Sequence, residues 1–272
     1  MSRLDDKQET QKQWNADPCG AVTAGDLRPG SPEFFDKVTR ERYDSYAPWM
    51  RSVVPFEAQA GKRLLEIGPG LGTDHAQFAR AGAQVFALDL TATHLRLTRE
   101  RFAVEGLTTR LVRADAESLP FVDGSFDTVY AFGVIHHTPD MQRAIDEIYR
   151  VLRPDGAAII GLYHRHSAFH WLNIILFRGL LLGQLFRLGH RRLLSMIEFR
   201  ASESTAQPLV QVLSRGDCRR LFARFSAIRI ESLHVDFLHF LPVIPASSGR
   251  GRRLLERLFR HWGWYLIVSA HR

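Results

Sequence analysis

Between residues 62 and 163 short apolar runs alternate with amphipathic stretches, and this alternation dominates the chain. The runs 63–67, 84–88, 110–113, 126–132 and 157–163 read as buried strands. Residues 73–81, 91–105 and 141–152 carry the helical period between them, with Pro154-Asp155-Gly156 turning behind the last. Strands separated by helices predict an α/β fold built on a mostly parallel sheet, because each parallel crossover lays a helix over one face. After Tyr163 the alternation breaks. Residues 166–199 are apolar and basic with a helical period, and taken as one helix they gather His170, Asn173, Gln184, Arg187 and Arg191 into one arc opposite a wide apolar face. Gly179 and Gly183 mark a helix break, and the longest charge-free run, 166–177, is too short to span a membrane. A helix at 214–222, opened by a Ser214 cap, and strands at 225–233 and 264–270 bring the sheet to seven strands.

Residues 1–60 are polar, punctuated by Pro and Gly, and then helical over 33–50, which predicts an arm and a helix capping a domain at 61–272 that carries an insert at 166–213. The formal net charge of +7 hides an asymmetry. Up to Ile159 there are 19 Lys+Arg against 23 Asp+Glu, and from Ile160 onward 17 Arg against 6 acids. The basic half could meet an acidic partner or be a solvated face in an arginine-rich protein, since only four lysines occur (Lys7, Lys12, Lys37, Lys62). Cys19 and Cys218, far apart and with no secretory segment before them, read as free thiols in a reducing cytoplasm.

The chemistry concentrates at Glu66-Ile67-Gly68-Pro69-Gly70-Leu71-Gly72, where a strand runs into a glycine-rich turn and then a helix. Glycines let backbone approach a ligand, and the helix N-terminus offers unpaired N–H groups and the positive end of its dipole. The dinucleotide fingerprint needs a small residue at 73, where this chain has Thr73; the spacing is instead G-x-G-x-G with an acid two residues ahead. Asp89 ends the second strand, where a carboxylate can accept from ribose hydroxyls. Asp115-Ala116-Glu117 follows the third strand, and the fourth ends in Phe132-Gly133-Val134-Ile135-His136-His137.

In these elements and their order the chain resembles the class I S-adenosylmethionine-dependent methyltransferases, in particular the ubiquinone- and menaquinone-methyltransferase-like group, closely over 62–163. The resemblance implies a Rossmann-like fold and S-adenosylmethionine as cofactor. It implies that Glu66, Gly68 and Gly70 hold the methionine moiety, that Asp89 binds the ribose with Leu90 on the adenine, that Asp115 meets the adenine amino group beside Ala116, and that the Phe132 carbonyl faces the methionine end. The segment 14–20 with 40–49 also looks like a recurring arm of such enzymes, through which Arg42, Tyr43 and Tyr46 would reach cofactor or acceptor.

Methyl transfer asks mainly for positioning of the acceptor behind the methyl group and exclusion of water, and a carbon or hydroxyl acceptor must also lose a proton. His137 and His136, at the C-terminal edge of the sheet, are the candidate bases, with Tyr163, His164 and His166 behind them in the same crevice. No carboxylate or Cys stands at ligand spacing from these histidines, so no metal is expected. Enzymes acting on exocyclic amines of bases resemble one another in an Asn/Asp-Pro-Pro-aromatic loop after strand four, absent here, and the only Pro-Cys, Pro18-Cys19, lies in the arm. The expectation is therefore a cytoplasmic enzyme methylating a small apolar or amphipathic metabolite, with nucleic acid unlikely, and with contact to membrane lipid open through 166–199 and 249–260. The rivals are an RNA methyltransferase, whose binding would be steeply salt-dependent, and an S-adenosylmethionine-binding protein without turnover.

Overall fold

The computed structural model describes residues 2–198, 206–235 and 259–272. Seven strands form one sheet: β1 (Arg63–Ile67), β2 (Gln84–Asp89), β3 (Arg110–Arg113), β4 (Phe126–Phe132), β5 (Leu152–Tyr163), β6 (Arg229–Leu233) and β7 (Tyr265–His271), in the order β3-β2-β1-β4-β5-β7-β6. The first five run parallel, and β7 lies antiparallel between β5 and β6. Successive side chains of a strand point to opposite faces, and here both faces are apolar. Leu65 and Val129 belong to one buried cluster, Leu64 and Tyr130 to the other. The order reverses at β1, flanked by β2 and β4, so the crevice beyond the strand ends opens there.

The helices are α1 (Arg3–Ala16), α2 (Pro32–Arg40), α3 (Met50–Val53), α4 (Thr73–Arg80), α5 (Ala92–Val104), α6 (Met141–Val151), α7 (Gln184–Ser195) and α8 (Arg215–Leu221). Helix α1 lies in the stretch expected to be an arm. It has no apolar stripe, and a Ser2–Asp5 capping box starts it. The stretch 33–50 is not one helix: α2 passes into a π-turn at Glu41–Tyr46 and stops at Ala47 before α3.

Three further expectations change. Strand β5 starts at Leu152, because Pro154-Asp155-Gly156 forms a bulge inside the strand, shifting the register from Phe126↔Leu152 to Thr128↔Ala157; a bulge tolerates proline, which has no N–H for the ladder. Strand β6 begins only at Arg229, since Phe225 is buried against Phe222 instead of joining the ladder. The insert breaks near Gly183, as its glycines predict, so it is not the single helix on which the arc was drawn. A π-helical segment, Phe169–Leu181, ends before Gly183, which is left-handed at φ 66°, and α7 is itself broken at Gly189. The arc drawn on one helix therefore dissolves, with His170 buried while Arg187 and Arg191 are exposed. Of the basic stretch 249–260, residues 249–258 lie outside the described residues.

Cap and domain are joined through Arg101 on α5, a fully buried arginine. Its guanidinium donates to the Leu71 carbonyl at 2.7 Å, Thr73 Oγ1 at 3.2 Å, the Phe35 carbonyl at 3.3 Å, Thr39 Oγ1 at 2.9 Å and Glu105 at 3.0 Å. One side chain thus ties α2 to the glycine-rich turn.

Candidate active site

The turn after β1 takes its shape from glycines with positive φ, at 71° for Gly68 and 57° for Gly70. A Cβ on Gly68 would lie 2.3 Å from a Val134 methyl, so the two loops at the sheet edge can meet only over glycine. A Cβ on Gly70 would meet nothing within 4 Å, leaving the backbone there open to a ligand. A cavity of about 600 Å³ begins at this turn and runs past Asp89, Asp115 and Phe132 to His137, Tyr163 and Tyr265.

At the first end every acid has partners. Glu66 is buried and bonds His75 Nδ1 at 3.0 Å, and His75 Nε2 meets Thr109 Oγ1 at 2.7 Å. Burial pushes His75 down to about 3, and burial, with Asp74 and Asp89 nearby, raises Glu66 well above the usual carboxylate range. Burial thus disfavours the charged form of both partners. Asp89 Oδ1 accepts from the Thr91 amide and hydroxyl, each at 2.8 Å, and Oδ2 from His94 Nδ1 at 3.2 Å; His94 Nε2 in turn accepts the Cys19 amide at 3.3 Å. Three of a carboxylate's roughly four lone-pair directions are thereby taken, so Asp89 retains about one for a ribose. Asp115 accepts the Glu117 amide at 2.9 Å and Lys7 Nζ at 2.5 Å. Leu90, Ala116 and Phe132 all line the cavity.

Asp74, in the first turn of α4, was not singled out from sequence. It is buried and accepts Arg42 Nη2 at 2.6 Å, the Tyr43 hydroxyl at 2.7 Å and the Tyr130 hydroxyl at 2.8 Å. Burial alone would raise its pKa, but Arg42 and the two hydroxyls more than offset this and lower it. Arg42 lies 4.6 Å over the Phe132 ring and lines the cavity with Tyr46, whereas Tyr43 is spent in the core behind Asp74.

The far end is aromatic. Trp14 of α1 packs edge-on to His137 at 5.6 Å, and Tyr163 and Tyr265 form the facing wall. His137 Nδ1 lies 2.6 Å from the Leu209 carbonyl, and since a carbonyl only accepts, Nδ1 donates there. Its Nε2 is 4.0 Å from Glu198 Oε1, and both atoms are buried without a hydrogen-bond partner. His136 is fully buried, stacked 3.9 Å from Tyr163, and burial together with His137 holds its pKa well below the usual histidine value. It does not line the cavity, which weakens it as a base. Donor atoms of His136, His137 and Glu198 lie within 4.8 Å of one another, the set among the described residues that could jointly hold a metal ion. Glu198 is the carboxylate that sequence spacing did not reveal. His164 and His166 are not in this crevice; they line a separate cleft with Arg215 and Trp262.

Residues 65–160 match the family described as a methyltransferase domain. Over that stretch the chain is similar to a methyltransferase domain. It is 41% identical over 96 residues to an uncharacterised protein of Mycobacterium tuberculosis, covering 35% of each. It is 37% identical over 110 residues to the demethylmenaquinone methyltransferase of Clavibacter sepedonicus, covering 40% of this chain and 43% of that one. The chain thus spans well under two thirds of these relatives' length. The fold matches an S-adenosylmethionine-dependent methyltransferase from Mesorhizobium loti, with a TM-score of 0.55 at 21% identity, covering 84% of this chain and 99% of that one. The architecture is the Rossmann-like class I methyltransferase fold. Among the described residues no helix is long and apolar enough to cross a membrane.

Proposed function

We propose that the protein transfers a methyl group from S-adenosylmethionine to a small apolar or amphipathic acceptor. The observation that carries this reading is the single cavity joining the glycine-rich turn to an aromatic end lined by His137. The residues present suit the cofactor: the backbone at Gly70 stands open, Asp89 keeps a lone-pair direction for a ribose hydroxyl, and Asp115 and Leu90 line the same wall. When bound, S-adenosylmethionine supplies an electrophilic methyl group on sulfonium.

The chain's own residues then have three tasks. Trp14, Tyr163 and Tyr265 enclose the acceptor in apolar surface and keep water out. His137 lines the cavity with Nδ1 held by the Leu209 carbonyl, and its imidazole takes up the proton that an oxygen or carbon acceptor must lose, with Glu198 beside it to stabilise the imidazolium so formed. Lys7, holding Asp115 and Glu117, fastens α1 over the cofactor end. The aromatic wall favours an apolar acceptor, in keeping with a relative named for demethylmenaquinone.

The test is calorimetric titration with S-adenosylmethionine and S-adenosylhomocysteine, with NAD as control, followed by a screen of apolar acceptors for release of S-adenosylhomocysteine. Micromolar binding of the first two, no binding of NAD, and product release with an apolar acceptor are expected. Binding of neither would overturn the reading, and binding without turnover on any acceptor would favour a cofactor-binding protein instead.

A further inference from the structure

The insert after β5 has two apolar faces, and only one is used inside the protein. Ile174, Leu193 and Leu194 are buried in the cluster that holds Tyr163 and Tyr265, so the inner face lies behind the aromatic end of the cavity. The outer face is exposed. Of fourteen large apolar side chains exposed among the described residues, eight fall between Trp171 and Phe186, with Leu181 at 70% and Phe186 at 80%. Soluble monomers rarely leave so dense a group of large apolar side chains in water unless it is an interaction surface.

Charge identifies what would cover it. Residues 161–197 contain five arginines and no Asp or Glu. Arg187 and Arg192 are exposed and Arg178 half-buried, so cations fringe the apolar side chains. A second copy of the chain would set the exposed Arg187 and Arg192 of one face against those of another, and a nucleic acid would leave the Leu and Phe side chains without apolar contact. An anionic lipid surface satisfies both features: apolar side chains enter the headgroup–acyl boundary while arginines pair with lipid charge. We infer that the insert is a peripheral membrane-docking surface that rests on anionic phospholipid with Leu181 and Phe186 foremost. The break at Gly183 suits this, since it lets the π-helical segment and α7 bear on one plane from two directions. The lipid contact stands apart from the proposed activity; that it brings an apolar acceptor to the cavity rests on that activity.

The experiment is co-sedimentation of the full chain with vesicles of phosphatidylcholine alone and of phosphatidylcholine with phosphatidylglycerol. Binding to the anionic vesicles is expected, weakening with added salt and falling at least about tenfold in the double variant Leu181→Glu, Phe186→Glu. The double variant Arg187→Gln, Arg192→Gln should lose the preference for phosphatidylglycerol. All four side chains are exposed, and unchanged thermal melting will show that the variants fold. Absence of vesicle binding, or equal binding by wild type and both variants, would overturn the inference. So would a solution dimer that Leu181→Glu, Phe186→Glu dissolves while vesicles bind nothing, which would give the face to a second copy. S-adenosylmethionine titration in parallel keeps failure of the activity separate from failure of the docking.

Discussion

The two ends of the cavity are built on opposite principles. At the glycine-rich end these acids already have protein partners, Asp89 with Thr91 and His94, Asp74 with Arg42, Tyr43 and Tyr130, Glu66 with His75. At the aromatic end His137 Nε2, Glu198 Oε1 and both His136 nitrogens are buried without a partner. Each such atom costs about 1–3 kcal/mol unless a ligand satisfies it. One end is finished in advance; the other keeps buried polar atoms without a partner among the described residues.

The sharpest way to break this contrast is His137→Asn. Turnover should fall about 10²- to 10⁴-fold, roughly 3–5 kcal/mol, while S-adenosylmethionine affinity stays within about twofold. Equal losses in both would mean that the two ends are one unit; single-turnover kinetics beside calorimetry decides.

Acid sharpens the contrast next. Burial depresses His75 to about 3, and His164 and His170, behind the insert and β5, each to about 4. A histidine held below its unfolded value of about 6.5 binds fewer protons folded than unfolded, so stability rises with pH through that window and is lost as pH falls from about 6.5 toward 4, by at most about 1.4 kcal/mol per pH unit for each. Glu66 has the opposite sign, because its raised pKa keeps a proton in the folded state that the unfolded state gives up above about 4.5. Thermal melting against pH should flatten in His164→Gln and His170→Gln. An unchanged profile in both variants would take these two histidines out of the acid sensitivity.

The mildest test is Asp89→Ala, which should weaken S-adenosylmethionine binding by about 1–3 kcal/mol through lost charge-assisted hydrogen bonds, with maximal turnover affected less than affinity. Unchanged affinity in a folded variant would take Asp89 out of the site.

The same contrast explains what could be read from the chain before its structure. The turn at 66–72, Asp89 and Asp115 each lie at the end of a strand whose apolar run marks it, so local pattern locates them, and the parallel order follows from alternation. Asp74 escaped because its partners Arg42 and Tyr130 are 32 and 56 residues away. Glu198 escaped for a similar reason, coming to His137 across 61 residues through the insert. Helix α1 gave no periodic signal, since polar contacts hold it rather than a buried stripe.

Those contacts have a consequence for how long a ligand stays. Helix α1 is fastened by charge pairs near the surface, Lys7 to Asp115 and Glu117, Arg3 to Asp140, and Asp6 to Arg191, whereas α2 is welded by buried Arg101. Mobile ions weaken the first kind of fastening and hardly touch the second. Ligand residence time thus becomes a property of the surrounding electrolyte: the door loosens as ionic strength rises, while its hinge side holds.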